Sequence, residues 1–185
     1  MRPLIVFLLL SAPLAAAENE SRLRIAVGGS WAVPLATPDG YHGTHQDTAL
    51  SGLVQWEAQR FLVQLEVAGG GFWAANPQWL AISGRVGLFL GRAPDVYVAV
   101  GPAFATENAL SVAECPQFGC DPFNGSGAAV SAEIAVRLPR LGSVQPSLFG
   151  DVLIPLFQVH QDVYPAAQSA DGVGLALFGL RLFLF

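Results

Sequence analysis

A chain of 185 residues with a net charge of −5 and no basic cluster is a poor partner for nucleic acid. Its charged share is 12%, about half the ordinary one. Its apolar share is 52%, yet past the N-terminal segment no run approaches the roughly 18 apolar residues of a helical membrane span. That much apolar surface without a spanning helix, with 20 glycines and 13 prolines, points to a membrane β-barrel, whose signal is spread over many alternating segments.

Residues 1–17 read as a secretory signal peptide. Arg2 is the positive region, Leu4–Leu10 the apolar run, and Ala15 and Ala17 the small residues of a cleavage site before Glu18. The run is short and Pro13 interrupts it, which argues against an uncleaved span of about 20 residues. The remainder, 18–185, has the length of one domain.

Lipid-facing and lumen-facing residues must alternate along a membrane strand. Over Arg22–Leu35 the odd positions Leu23, Ile25, Val27, Trp31 and Val33 are oily, and the even ones, from Arg22 and Arg24 to Pro34, are small or polar. A polar loop, Thr37–Thr48, follows. Ala49–Gln59 sets Leu50, Val54, Trp56 and Ala58 against Ser51, Leu53, Gln55 and Glu57. Arg60–Trp73 carries Phe61, Val63, Leu65 and Val67 outward and Gln64, Glu66 and Ala68 inward. The apolar set changes from even to odd numbers between Ala58 and Phe61, as a tight turn at Gln59-Arg60 would produce. After Ala74–Gln78, Leu80–Leu90 turns Leu80, Ile82, Val86 and Leu88 outward and Ser83, Arg85 and Gly87 inward. Past the turn at Arg92–Asp95, Val96–Phe104 puts Val96, Val98, Val100 and Phe104 outside and Tyr97, Ala99 and Ala103 inside.

The longest loop, Glu107–Gly125, holds Cys115 and Cys120. In an exported chain their spacing is expected to close a small disulfide loop, with no His or further Cys nearby to complete a zinc set. Ala128–Leu138 then sets Val130, Ile134, Val136 and Leu138 against Ser131, Glu133 and Arg137. After Pro139–Ser143, Val144–Phe157 sets Leu148, Val152, Ile154 and Leu156 against Gln145, Ser147 and Asp151. His160–Asp171 is polar, and Gly172–Phe185 closes the chain. Pro102, Pro146 and Pro155 fall inside these strands, where each removes a ladder donor.

The last stretch is apolar almost throughout and ends on Leu-Phe-Leu-Phe. It resembles the C-terminal signal of bacterial outer-membrane barrels, with Phe183 and Phe185 as the assembly signal. The eight segments together resemble the eight-stranded barrels of the outer-membrane protein A and X type. The resemblance implies an all-β fold, an eight-stranded antiparallel up-and-down transmembrane β-barrel with both termini in the periplasm. It also implies outer-membrane lipid and the barrel-assembly machinery as partners, the latter through the closing strand. If Phe183 and Phe185 face lipid, strict alternation places Arg181 there too, costing up to about 2–4 kcal/mol at the midplane unless a bulge or snorkelling relieves it.

Function is less legible. The inward charges Arg24, Glu57, Glu66, Arg85, Glu133, Arg137 and Asp151 come from six strands and carry both signs. In a narrow lumen such charges should pair, giving an ion-paired plug, since eight strands leave room for little beyond side chains. This makes the chain a structural or surface-interacting protein of the cell envelope, with Glu107–Gly125 as the contact loop. The alternative is a small or gated, porin-like pore. A further one is an outer-leaflet lipid-modifying enzyme drawing on His42, His45 and Asp47, or on His160 and Asp162, although no Ser stands beside them. No cofactor or metal is expected, since His42 with His45 offers only two ligands. Trp31, Trp73 and Trp79 near outer strand ends, and Trp56 near an inner one, match interfacial aromatic belts. A soluble ligand-carrying barrel would show the reverse pattern, with an oily bore and a charged exterior.

Overall fold

The computed structural model describes residues 21–35, 47–71, 78–90, 96–109, 123–161, 168–172 and 174–184. Ten strands form among them: β1 (Ser21–Pro34), β2 (Asp47–Ala58), β3 (Phe61–Gly70), β4 (Gln78–Phe89), β5 (Val96–Ala109), β6 (Phe123–Arg137), β7 (Val144–Pro155), β8 (Gln158–Gln161), β9 (Gln168–Asp171) and β10 (Leu175–Leu184). β1 to β7 and β10 pair antiparallel with their neighbours, and β10 returns to β1, so eight strands close into a barrel. β8 and β9 form a hairpin outside the ring, attached to β6 at Asn124↔His160.

The alternating pattern becomes a wall because partners across an antiparallel ladder share a face. Ile25 lies opposite Val54, Val54 opposite Leu65, Val67 opposite Ile82, and Ile82 opposite Phe104. Further round, Val98 meets Ile134, and Phe178 meets Trp31. All but Val98 are among the exposed large hydrophobics, so an oily belt girdles the cylinder. The other parity turns inward. Toward the long-loop end the interior is apolar, built from Ala32, Ala49, Trp79, Ala105, Ala129, Leu153 and Leu175. Nearer the short turns it is charged.

The connections obey local chemistry. The turn between β2 and β3 is the pair Gln59-Arg60, with Gln59 at a φ of 52°, the left-handed sense that two-residue hairpins demand. Pro102 sits inside β5, and the β4–β5 ladder lapses there, between Ser83↔Ala103 and Val86↔Val100, as a residue without an N–H requires. At its neighbour Gly101, a Cβ would run into the Gly84 carbonyl and stand 2.9 Å from Arg85 Cα, so only glycine fits the close approach.

Several expectations need correction. The closing strand has the opposite phase: Phe178, Leu180, Leu182 and Leu184 face out, and Phe183 is 0% exposed. Arg181 lies opposite Gly28 and Ser147, both on inward parity, so it points into the bore and no bulge or snorkelling is needed. Trp79 is 6% exposed and packs inside, whereas Trp31, at 66%, faces out. The segment Glu107–Gly125 is not all loop. β5 runs on to Ala109 and β6 starts at Phe123, with Glu107 opposite Gly125. The polar stretch His160–Asp171 carries the β8–β9 hairpin, and regular pairing in the last strand begins at Leu175 rather than Gly172. Residues 1–17, Cys115, Cys120, Trp73 and Phe185 lie outside the described residues.

Candidate functional site

Eight of the nine buried charges among the described residues form one connected set; the ninth, Glu107, sits on β5 toward the long-loop end. Arg24, Glu57, Glu66, Arg85, Glu133, Arg137 and Asp151 are all buried, and Arg181 joins them. Strand register decides the grouping. Glu133 of β6 stands opposite Asp151 of β7, Gln64 of β3 opposite Arg85 of β4, and Ser147 opposite Arg181.

Arg85 and Arg181 form the centre. Arg85 lies 3.0 Å from Glu133 and 2.8 Å from Asp151, is ion-paired with Glu66, and donates to Ser131 Oγ at 3.0 Å. Ser131 in turn donates to Asp151 at 3.0 Å. Arg181 donates to Glu66 at 2.5 Å and to Glu133 at 2.7 Å, and its guanidinium lies 3.8 Å from the Phe149 ring centre. Glu66, Glu133 and Asp151 offer oxygens within 4.8 Å of one another. Three carboxylates so close would repel strongly in a dry bore, and Arg85, paired with each, supplies the counter-charge. The partners come from β3, β4, β6, β7 and β10, so the bonds run from wall to wall.

A second group lies nearer the short-turn end. Glu57 is 2.9 Å from Arg24 and 2.5 Å from Arg137, and Arg24 also donates to Gln145 at 2.9 Å. The Arg137 guanidinium lies 4.9 Å from Phe89, 5.1 Å from Phe183 and 5.4 Å from Tyr97, so three rings cover it. Gln55 and Gln64 join the groups. Gln55 donates to Glu57 at 3.0 Å, Gln64 donates to Gln55 at 3.1 Å, and the Tyr97 hydroxyl donates to Glu133 at 2.8 Å. Four arginines thus face four carboxylates in one network.

Of three comparisons with known proteins, one finds a likeness. No protein-family model matches the chain, and no curated relative does. Among solved structures, Neisserial surface protein A (NspA) superposes with a TM-score of 0.63 at 6% identity, over 90% of this chain and 99% of that one. The Yersinia pestis outer membrane protein Ail, at 10% identity, covers 88% of this chain and 100% of its own with a TM-score of 0.40. The outer membrane protein AlkL, at 13%, covers 89% and 86% with the same score. The fold is that of the eight-stranded outer-membrane barrels.

In an eight-stranded barrel the bore is just wide enough for side chains to fill, which makes each inward charge a neighbour of several others. Arg181, Gln55, Gln64 and Tyr97 belong to the site although their patterns did not single them out. For Arg181 a signal existed: the other seven charges comprise three arginines and four carboxylates, one cation short. Gly28 was another, because a Cβ there would come 2.7 Å from Arg181 Cγ, so the glycine makes room for the arginine stem. Of the residues considered for catalysis, His160 is exposed on β8, while His42, His45 and Asp162 lie outside the described residues. Each carboxylate of the three-membered cluster is ion-paired with Arg85.

Proposed function

We propose that this chain is an integral protein of a bacterial outer membrane whose bore is closed by its own ion pairs, and whose role is structural or surface-contacting. Export with removal of residues 1–17, and insertion through the closing strand by the barrel-assembly machinery, belong to the same reading. The observation that carries it is the Arg85–Arg181 centre. Two guanidiniums hold carboxylates from three other strands across the bore, and parting them would leave buried charges uncompensated. A protein closed in this way acts through its exterior. At the long-loop end, Thr106, Glu107, Asn108, Asn124, Ser126, Gln158 and His160 line a polar cleft of about 550 Å³ beside the connection that holds Cys115 and Cys120. Amides, hydroxyls and a carboxylate of this kind suit contact with a polar surface partner, and a Cys115–Cys120 disulfide would stiffen the connection beside them.

Planar-bilayer recording of the full chain tests the reading. A closed bore gives no steady conductance steps, and substituting both Arg85 and Glu66 with alanine should introduce them. Steady steps from the unmodified protein would overturn the closed-bore reading in favour of a pore. Lipid hydrolysis that disappears in His42→Ala would favour the enzyme.

A further inference from the structure

The nine basic residues of this chain are all arginine, and their placement is one-sided. Arg2 precedes the barrel, and four others are inside it. The rest are Arg22 at the start of β1, Arg60 in the β2–β3 turn, Arg140 in the β6–β7 turn, and Arg92, which falls between β4 and β5 and outside the described residues. All belong to the short-turn end. The opposite end has no arginine or lysine in any connecting segment (36–46, 72–77, 110–122 and 162–167) but carries Asp39, Glu114, Asp121 and Asp162 there, with Asp47, Glu107 and Asp171 on the adjoining strands.

The three described rim arginines share a local pattern. Each is exposed, and each is followed by an exposed apolar residue: Arg22-Leu23, Arg60-Phe61 and Arg140-Leu141. Arg60 is tied to the edge of the oily belt, its carbonyl accepting from the Phe89 N–H at 2.9 Å. Glu57, opposite Arg22 in the β1–β2 ladder, is engaged by Arg24 and Arg137. An apolar residue beside a guanidinium is suited to a bilayer boundary, the apolar chain in the acyl region and the cation among phosphates.

We propose that Arg22, Arg60 and Arg140, each with its apolar neighbour, form a phosphate-binding fringe that seats the short-turn end of the barrel on anionic phospholipid headgroups. The planar guanidinium forks onto a phosphate with two parallel hydrogen bonds. The inference rests on the proposal that the barrel spans a membrane, and it adds the lipid class recognised and the end that recognises it.

The test folds the full chain into vesicles of phosphatidylcholine with a minor share of phosphatidylglycerol. Heat-modifiable gel migration reports insertion, and native mass spectrometry reads the ratio of the two lipids retained. The wild type should retain phosphatidylglycerol above its bulk share, by about fivefold per engaged arginine, and less so at high salt. The triple variant R22Q/R60Q/R140Q should insert as well but fall to the bulk ratio, and R22K/R60K/R140K should recover part of the enrichment. Equal enrichment in the wild type and the glutamine variant, or a wild type at the bulk ratio that salt does not change, would overturn the fringe while leaving the membrane barrel standing. A wild type that inserts into neither lipid mixture would sink both. If the glutamine variant fails to fold, the salt response of the wild type alone decides.

Discussion

Arg181 has three separate supports: Glu66, Glu133 and the face of Phe149. Replacing it by methionine keeps the stem and removes the charge, leaving two buried carboxylates with Arg85 alone between them. The expected loss is about 3–5 kcal/mol, the cost of breaking a buried pair from one side. Glu66→Gln should cost less, since Arg85 keeps Glu133 and Asp151 and Arg181 keeps Glu133. Urea unfolding in detergent micelles would check the order, and equal small losses would remove the case for a connected network. This residue also shows where reading the sequence went astray. The terminal phenylalanine was allowed to set the phase of the strand, whereas the phase follows from the register with Gly28 and Ser147. The oily even set Phe178, Leu180, Leu182 and Leu184 was the better guide. Trp79 misled for a related reason: aromatic residues near strand ends suit an interface, but its parity with Ala81 and Ser83 turns it inward.

At the scale of a strand, period-two alternation was enough to find β1 to β7, including the phase change at Gln59-Arg60. It could not find the ends of β5 and β6, because Thr106, Asn108, Asn124 and Ser126 carry no oily parity beyond the belt. Nor could it find the β8–β9 hairpin, whose four-residue strands are too short to show a period. Within β5, the Gly101-Pro102 pair brings two backbones together. Gly101→Ala should cost about 1–3 kcal/mol through overpacking, because its Cβ meets the Gly84 carbonyl. Gly52→Ala, where a Cβ meets nothing within 4 Å, should change stability by no more than about 0.5 kcal/mol. Comparing the two variants in the same unfolding assay checks the claim, and a neutral Gly101→Ala would show that the strands can part without loss.

For the molecule as a whole, the outward belt and inward ions predict a graded response to charge on the exterior. Ile134→Lys, within the oily belt on β6, should destabilise the lipid-embedded barrel by about 2–4 kcal/mol, and Leu23→Lys, at the rim, by about 0–1 kcal/mol. Refolding into vesicles with and without each substitution measures the difference, and equal effects would mean that the belt does not face acyl chains. The inside-out distribution of charge was the most legible property of this sequence, since six strands state it independently. The pairing partners within the bore were not legible, because they depend on stagger between strands far apart in the chain. The ring is joined by the first and last strands, β1 to β10, and the cation that balances the central carboxylates arrives on the last. A barrel lacking β10 would therefore present two open edges and a surplus negative charge at its heart. Closure of the ring and balance of the central carboxylates fall to the same strand, and a copy without it is left recognisably unfinished.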